Sequence, residues 1–283
     1  MSGDLIQVGD GLEIWASRAG DGPAVLLSAG LGMPPGTWAF TGLPDRLVDA
    51  GYQVITYAAR GVAPSSAPPA PYSVHEMAAD AAAVLDHYGV EEAILVGYSM
   101  GCYISQALFD VWGGSIRGLA MIAGLRSSVI GEIVNQMELD LIERLGSVPA
   151  SVSLFEQLMT TLSPSALRDN AQVAVWRDLM GGSADVWTSG AGQHGQTAAS
   201  YAWMSAGEPT VERLSGIGCP TLVVGFGDDV FFPAAGSREA ASHIPNSDWI
   251  LIEGEGHGGM MLDAQHRAAS HVAEFCASLA TGL

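Results

Sequence analysis

Apolar positions along this chain fall into two rhythms. Unbroken aliphatic runs recur at Val25-Leu-Leu27, Val54-Ile-Thr-Tyr57, Ala93-Ile-Leu-Val96, Leu119-Ala-Met-Ile122, Thr221-Leu-Val-Val224 and Trp249-Ile-Leu-Ile252. Each ends in glycine or another turn former. A run without polar alternation fits a strand covered on both faces, which predicts a parallel sheet between helical layers. Helical spacing separates the runs. Ser73 with Glu76 forms a capping-box signature, Met77, Ala81, Val84, Leu85 and Tyr88 follow on one face, and Gly89 closes the segment. A second helix is predicted from about Met100 to Trp112, with Ile104, Leu108 and Val111 on one face and Gly113-Gly114 after it. Alternating strand and helix patterns imply a doubly wound α/β fold, with Asp4–Ser17 as antiparallel edge strands.

The rhythm breaks between about Leu125 and Glu212. No aliphatic strand run appears there, while Met137, Ile142, Phe155, Leu158, Met159, Trp176, Leu179, Trp187 and Trp203 are scattered among polar residues. Gly181-Gly182 and Ser189-Gly-Ala-Gly192 read as punctuation. One reading is a second helical core packing on itself. The other is a helical lid over a pocket, with some of the aromatics lining it. The strand pattern resumes at Thr221, and an insertion after a strand end lies at the carboxyl edge where α/β proteins bind ligands, so the lid is favoured. The expected organisation is a core over 1–124 and 213–283 and a lid over 125–212.

Composition narrows the partners. The 283 residues are 48% apolar and 14% charged, which excludes a disordered chain, and thirty acidic residues against eleven basic ones give a net charge of −19. That field repels nucleic acid and anionic membranes, so neither is an expected partner, and a small-molecule substrate is. All eleven basic residues are arginine. The absence of lysine removes a Schiff-base lysine, a Ser–Lys dyad and a Walker-A loop together. Cys102, Cys219 and Cys276 show no CxxC pairing and read as small apolar residues in a reducing compartment. No HExxH or strand-linked GxGxxG is present, so neither a metal nor a cofactor is expected. Residues Met1–Leu5 lack the basic start and apolar run of a signal peptide, and the expected location is cytoplasmic.

The sharpest chemical signal is Gly97-Tyr98-Ser99-Met100-Gly101, set between an apolar strand and an amphipathic helix. A strand that turns at once into a helix cramps its middle residue, and small residues two before and two after let the turn close with the serine hydroxyl standing proud. The Met100 N–H then points with the helix dipole to where negative charge develops. A serine hydroxyl needs an adjacent base. Of seven histidines, only His257 directly follows the last aliphatic run, in Glu253-Gly-Glu-Gly-His-Gly-Gly. His75, His87, His243, His266 and His271 fall in predicted helices or loops, and His194, in the lid segment, competes as a base or as a pocket residue. An imidazole in this role wants a carboxylate, and Gly225-Phe-Gly-Asp-Asp-Val-Phe-Phe-Pro233 offers Asp228 or Asp229. Cys102, three residues past Ser99, reads as packing in the first helical turn.

The order Ser, Asp, His, each after a predicted strand, resembles the α/β-hydrolase superfamily over nearly the whole chain. The resemblance implies a mostly parallel central sheet flanked by helices, with a helical lid insertion. The family's acid commonly precedes a proline by four positions, which selects Asp229 over Asp228. Val25-Leu-Leu-Ser-Ala-Gly-Leu-Gly is similar to the family's oxyanion loop, which makes Leu31 N–H the second donor beside Met100 N–H. Two departures stand out. The usual His before that loop is Ala29, and the common Asp-x-Arg-Gly is Ala58-Ala-Arg60-Gly61, which leaves Arg60 without its habitual neighbour. The implied activity is a serine hydrolase cleaving an ester or lactone of a largely apolar small molecule through an acyl-enzyme. A thioesterase, a carbon–carbon hydrolase, a lyase or cyclase using the same pocket, and a non-catalytic ligand-binding protein are the alternatives.

Overall fold

Every aliphatic run lies in a strand of one eight-stranded sheet in the computed structural model, which describes residues 3–181 and 186–280. Met1, Ser2 and Gly182 of the sequence reading lie outside the described residues. In chain order come β1 (Asp4–Val8), β2 (Leu12–Ala19), β3 (Ala24–Ser28), α1 (Leu43–Asp49), β4 (Gln53–Tyr57), α2 (Val74–His87), β5 (Glu92–Tyr98), α3 (Met100–Val111) and β6 (Ser115–Ile122). A helical stretch follows: α4 (Val129–Leu145), α5 (Ala150–Thr161), α6 (Pro164–Leu167), α7 (Asn170–Gly181), α8 (Gly190–Ser205) and α9 (Val211–Ser215). The chain then returns to the sheet through β7 (Thr221–Phe226), α10 (Ala234–Ala241), β8 (Ser247–Ile252), α11 (Gly259–Leu262) and α12 (Arg267–Ala280).

The spatial order is β1-β2-β4-β3-β5-β6-β7-β8. β1 and β2 pair antiparallel, as do β2 and β4, and all other neighbours are parallel. The continuous aliphatic runs are explained by their alternate residues. Leu26, Leu95, Met121 and Val223 face one layer with Met77 and Leu85 of α2 and Leu108 of α3. Their neighbours Val25, Ile94, Ala120 and Val224 face the other, with Leu47 of α1 and Val272 of α12. Over β3, β5, β6 and β7 both faces are dry, so neither tolerates a polar alternation, while the edge strand β8 leaves Leu251 40% exposed. The capping box is present, with Ser73 Oγ accepting from Glu76 N–H at 3.1 Å and Glu76 Oε2 from Ser73 N–H at 2.8 Å.

Because the strands are parallel, the carboxyl ends of β3, β5, β7 and β8 open onto one edge. The stretch between β6 and β7 leaves from that edge too. Within it, the sequence reading needs one correction. Gly190–Gly192, expected as a break, forms the first turn of α8, because glycine here serves close packing: a Cβ on Gly61 would lie 2.8 Å from Gly192 Cα.

Candidate active site

Ser99 sits where β5 gives way to α3, with φ 54° and ψ −124°. A side chain in this region is strained and persists only when its surroundings hold it. The surroundings do so at the flanking glycines. A Cβ on Gly97 would come to 2.5 Å from Gly101 O, and one on Gly101 would collide with Ser28 O. Both positions therefore require the absence of a side chain. Below the turn, Cys102 is fully buried, its Sγ donates to Gly97 O at 3.2 Å, and burial pushes its thiol pKa up. It is packing, with no path to a nucleophilic role.

His257, in the loop after β8, places Nε2 3.0 Å from Ser99 Oγ and Nδ1 2.9 Å from Asp229 Oδ2. Asp229 is 4% exposed, and its second oxygen accepts from Phe231 N–H at 2.8 Å and Phe232 N–H at 2.9 Å. Both carboxylate oxygens are engaged, so the group cannot rotate away. Asp228 is instead tied by its own N–H to Glu255 O and stays partly exposed. His194 lies on α8, and the ring that reaches Ser99 is that of His257. The imidazole is packed between rings: Tyr98 and Phe232 stack on it, each with centroids 5.4 Å away, and Phe231 is tilted against it at 5.4 Å. Tyr98 also donates its phenol to His257 O at 2.6 Å. Burial holds that phenol protonated, well above its ordinary pKa.

The turn after β3 passes directly against the serine, since a Cβ on Gly30 would lie 3.1 Å from Ser99 Cβ. Met33 N–H closes this turn on Gly30 O at 3.1 Å, and Gly32 N–H donates to Gln196 Oε1 at 2.9 Å. Leu31 N–H has no protein acceptor among the described residues, and Met100 N–H precedes the hydrogen-bond ladder of α3. Arg60, which lacks its habitual neighbour at Ala58, finds another partner. Its Nε and Nη2 reach the two oxygens of Asp80 on α2 at 2.6 and 2.8 Å. Burial opposes the Arg60 charge, and the Asp80 carboxylate outweighs burial, holding the guanidinium pKa above its ordinary value.

The helical stretch between β6 and β7 touches each loop of the site. Ser128 ahead of α4 donates to Val230 O and Phe231 O, Thr161 O at the end of α5 accepts from Gly258 N–H at 2.9 Å, and Gln196 of α8 takes Gly32. Trp203 of α8 stacks on Tyr103, whose edge meets Phe232, so a file of rings runs from this stretch to His257. Sequence reasoning missed both Gln196 and this file. Nothing marked Gln196 except its place between Gly195 and Thr197 on a helix of small residues. The same stretch holds a carboxyl pair away from Ser99. Glu138 of α4 accepts from Thr197 Oγ1 at 3.0 Å, and burial pushes its pKa up to about 7. Glu156 of α5 is pushed up to about 8 by burial and by the charge of Glu138. Among the described residues no group of three His, Cys, Asp or Glu side chains could hold a metal ion, and no helix is long and apolar enough to cross a membrane.

Comparison with known proteins bears on the family and the fold. BpoC of Mycobacterium tuberculosis H37Rv, described as a candidate non-heme bromoperoxidase, is 28% identical over 246 residues, covering 85% of this chain and 88% of its own. Its crystal structure superposes with a TM-score of 0.80 at 25% identity, over 94% of this chain and 96% of that one. The rhodomycin D methylesterase DnrP of Streptomyces peucetius is 29% identical over 280 residues, covering 88% and 90%. A thermophilic esterase from Thermogutta terrifontis shares the fold, with a TM-score of 0.80 and 22% identity over 99% of both chains. The model of the alpha/beta hydrolase fold family matches residues 23–264, and the chain belongs to that family.

Proposed function

We propose that this protein is a serine hydrolase of carboxylic esters or lactones that works through an acyl-enzyme. The observation that carries the reading is the unbroken hydrogen-bonded file Ser99 Oγ, His257 Nε2, His257 Nδ1, Asp229 Oδ2 at the carboxyl edge of the sheet. His257 takes the Ser99 proton on Nε2 as Oγ attacks the substrate carbonyl. Asp229, fixed by Phe231 and Phe232 N–H, holds Nδ1 protonated and stabilises the imidazolium. The oxyanion is received by Leu31 and Met100 N–H. The proton then passes from Nε2 to the leaving alcohol, and water repeats the sequence on the acyl-enzyme to release the acid.

The methylesterase relative supports the ester class. The helices between β6 and β7 act as the lid, and the apolar Phe231 and Phe232 against His257, with Met33 and Trp187 against the Gly30–Gly32 turn, suit a largely apolar substrate, since burial gains about 25 cal/mol per Å². A fluorophosphonate probe should label Ser99, and p-nitrophenyl esters of increasing acyl length should be turned over until the pocket is filled. Ser99→Ala should lower turnover by about 10⁴–10⁶-fold. Turnover that survives in Ser99→Ala would overturn the mechanism, and turnover without labelling would point to chemistry that makes no acyl-enzyme.

A further inference from the structure

We propose that Gln196, from α8, is a positioning residue that fixes the oxyanion turn. The inference rests on the hydrolase reading above and extends it to a residue outside the triad. Gln196 is fully buried, and its two amide ends do different things. Nε2 donates to Arg60 O at 2.7 Å, and Oε1 accepts from Gly32 N–H at 2.9 Å. The orientation of the amide is unambiguous, because a backbone carbonyl only accepts and a backbone N–H only donates.

The peptide planes of the turn show what this bond controls. Leu31 N–H belongs to the same rigid plane as Gly30 C=O, and a peptide plane turns only as a unit. Met33 N–H holds Gly30 O, so the Leu31 N–H is aimed in the opposite direction. The next plane carries Leu31 C=O and Gly32 N–H, and Gln196 is what holds it. Gly32 has φ 66°, a conformation from which glycine rotates with little steric cost. Without Gln196 this second plane is free to turn, the Met33–Gly30 closure loosens, and the Leu31 donor loses its aim. Two features keep Gln196 itself in place. The Arg60 loop that receives Nε2 is anchored by Asp80, and Gly192 of α8 lies in backbone contact with Gly61. Donors of this kind act by being aimed before charge develops, so a disordered aim lowers the chemical step and leaves ground-state binding alone.

The test uses the full chain, with p-nitrophenyl butyrate as substrate and fluorophosphonate titration to count active sites. Per titrated site, Gln196→Ala should show kcat lowered about 10–100-fold with KM changed less than about threefold, and a pH profile of unchanged shape. Gln196→Glu keeps the acceptor for Gly32 and, when protonated, the donor for Arg60 O. Its kcat relative to the unaltered protein should therefore rise as pH is lowered. Exchange of the Gly32 amide with deuterium should speed up in Gln196→Ala. A purely structural role predicts fewer titratable sites with normal kcat per site, and that result overturns the proposal, as does an unchanged Gly32 exchange rate. If Gln196→Ala does not fold, the Gln196→Glu ratio decides, and a ratio flat with pH overturns it. No labelling and no turnover in the unaltered protein would instead sink the hydrolase reading itself, a distinct outcome.

Discussion

Two helices of the same insertion, α5 and α8, invert what their composition suggests. α5 carries Leu154, Phe155, Leu158 and Met159, yet its only buried residue is Thr160, and Phe155 is 66% exposed. α8 opens Gly-Ala-Gly-Gln-His-Gly-Gln-Thr and buries Gly192, Gln193, Gly195, Gln196, Thr197 and Ser200. The difference is one of distance. Small residues let α8 bring its backbone against Gly61, and at that range side-chain amides and hydroxyls can satisfy core backbone groups. α5 meets the His257 loop only at its end, through Thr161 O, and leaves apolar side chains facing solvent. The insertion therefore contains both a fixed buttress for the catalytic edge and an apolar exposed surface of the kind that marks binding sites.

The sharpest way to break this comparison is to remove what the buttress stands on. Asp80→Ala removes the buried carboxylate of Arg60 and leaves it only Glu76, whose Oε1 lies 3.5 Å away on a more exposed side chain, a loss of about 3–5 kcal/mol. The melting temperature should fall by about 5–8 °C, with hydrolysis lost alongside, measured by calorimetry and ester turnover. An unmoved transition would mean that the Arg60 loop does not support α8. Gly192→Ala comes next, because its Cβ would collide with the Gly61 carbonyl, a backbone atom that cannot step aside. Overpacking of this kind costs about 1–3 kcal/mol. The same substitution at Gly146, where a Cβ meets nothing but the φ of 82° is strained, serves as the comparison for backbone cost alone.

The carboxyl pair formed by Glu138 of α4 and Glu156 of α5 gives a pH-dependent test. Glu138 has a folded pKa raised from 4.5 to about 7, so the unfolded chain releases its proton first as pH rises. Stability should fall across that window, and Glu156, raised to about 8, should extend the fall. Glu138→Gln keeps the bond from Thr197, and it should flatten the slope and raise the melting temperature at pH 8 by several degrees. An unchanged slope would show that the Glu138 carboxyl releases its proton in the fold as readily as in the unfolded chain. The smallest effect is expected on the exposed side. Phe155→Ser should move stability by less than about 0.5 kcal/mol. It should raise KM for long-chain esters a fewfold and leave short-chain esters alone, if α5 meets the substrate.

What was legible in the sequence follows from where local pattern carries the information. The strand runs were readable because both faces of the central strands are dry, and Gly97–Gly101 because the elbow demands small residues at fixed spacing. His257 was readable from its place after the last run. Asp229 needed the spacing to Pro233, since adjacent carboxylates look alike until one of them is given a partner. Two features were invisible for physical reasons. Asp80 replaces a missing neighbour of Arg60 from twenty residues away on a different element, where no local pattern refers to it. The first turn of α8, Gly190–Gly192, looked like loop punctuation because hydrophobicity was the guide, and Gly192 is buried by its close approach to the Gly61 backbone.

The phenol of Tyr98 has a mechanical consequence. This residue precedes Ser99, the proposed nucleophile, and it grips the main chain of His257, the proposed base, 159 positions further on while its ring lies against the imidazole. The hydroxyl of Ser99 and the imidazole of His257 are thus tied through one side chain, so a displacement of either loop is transmitted to the other.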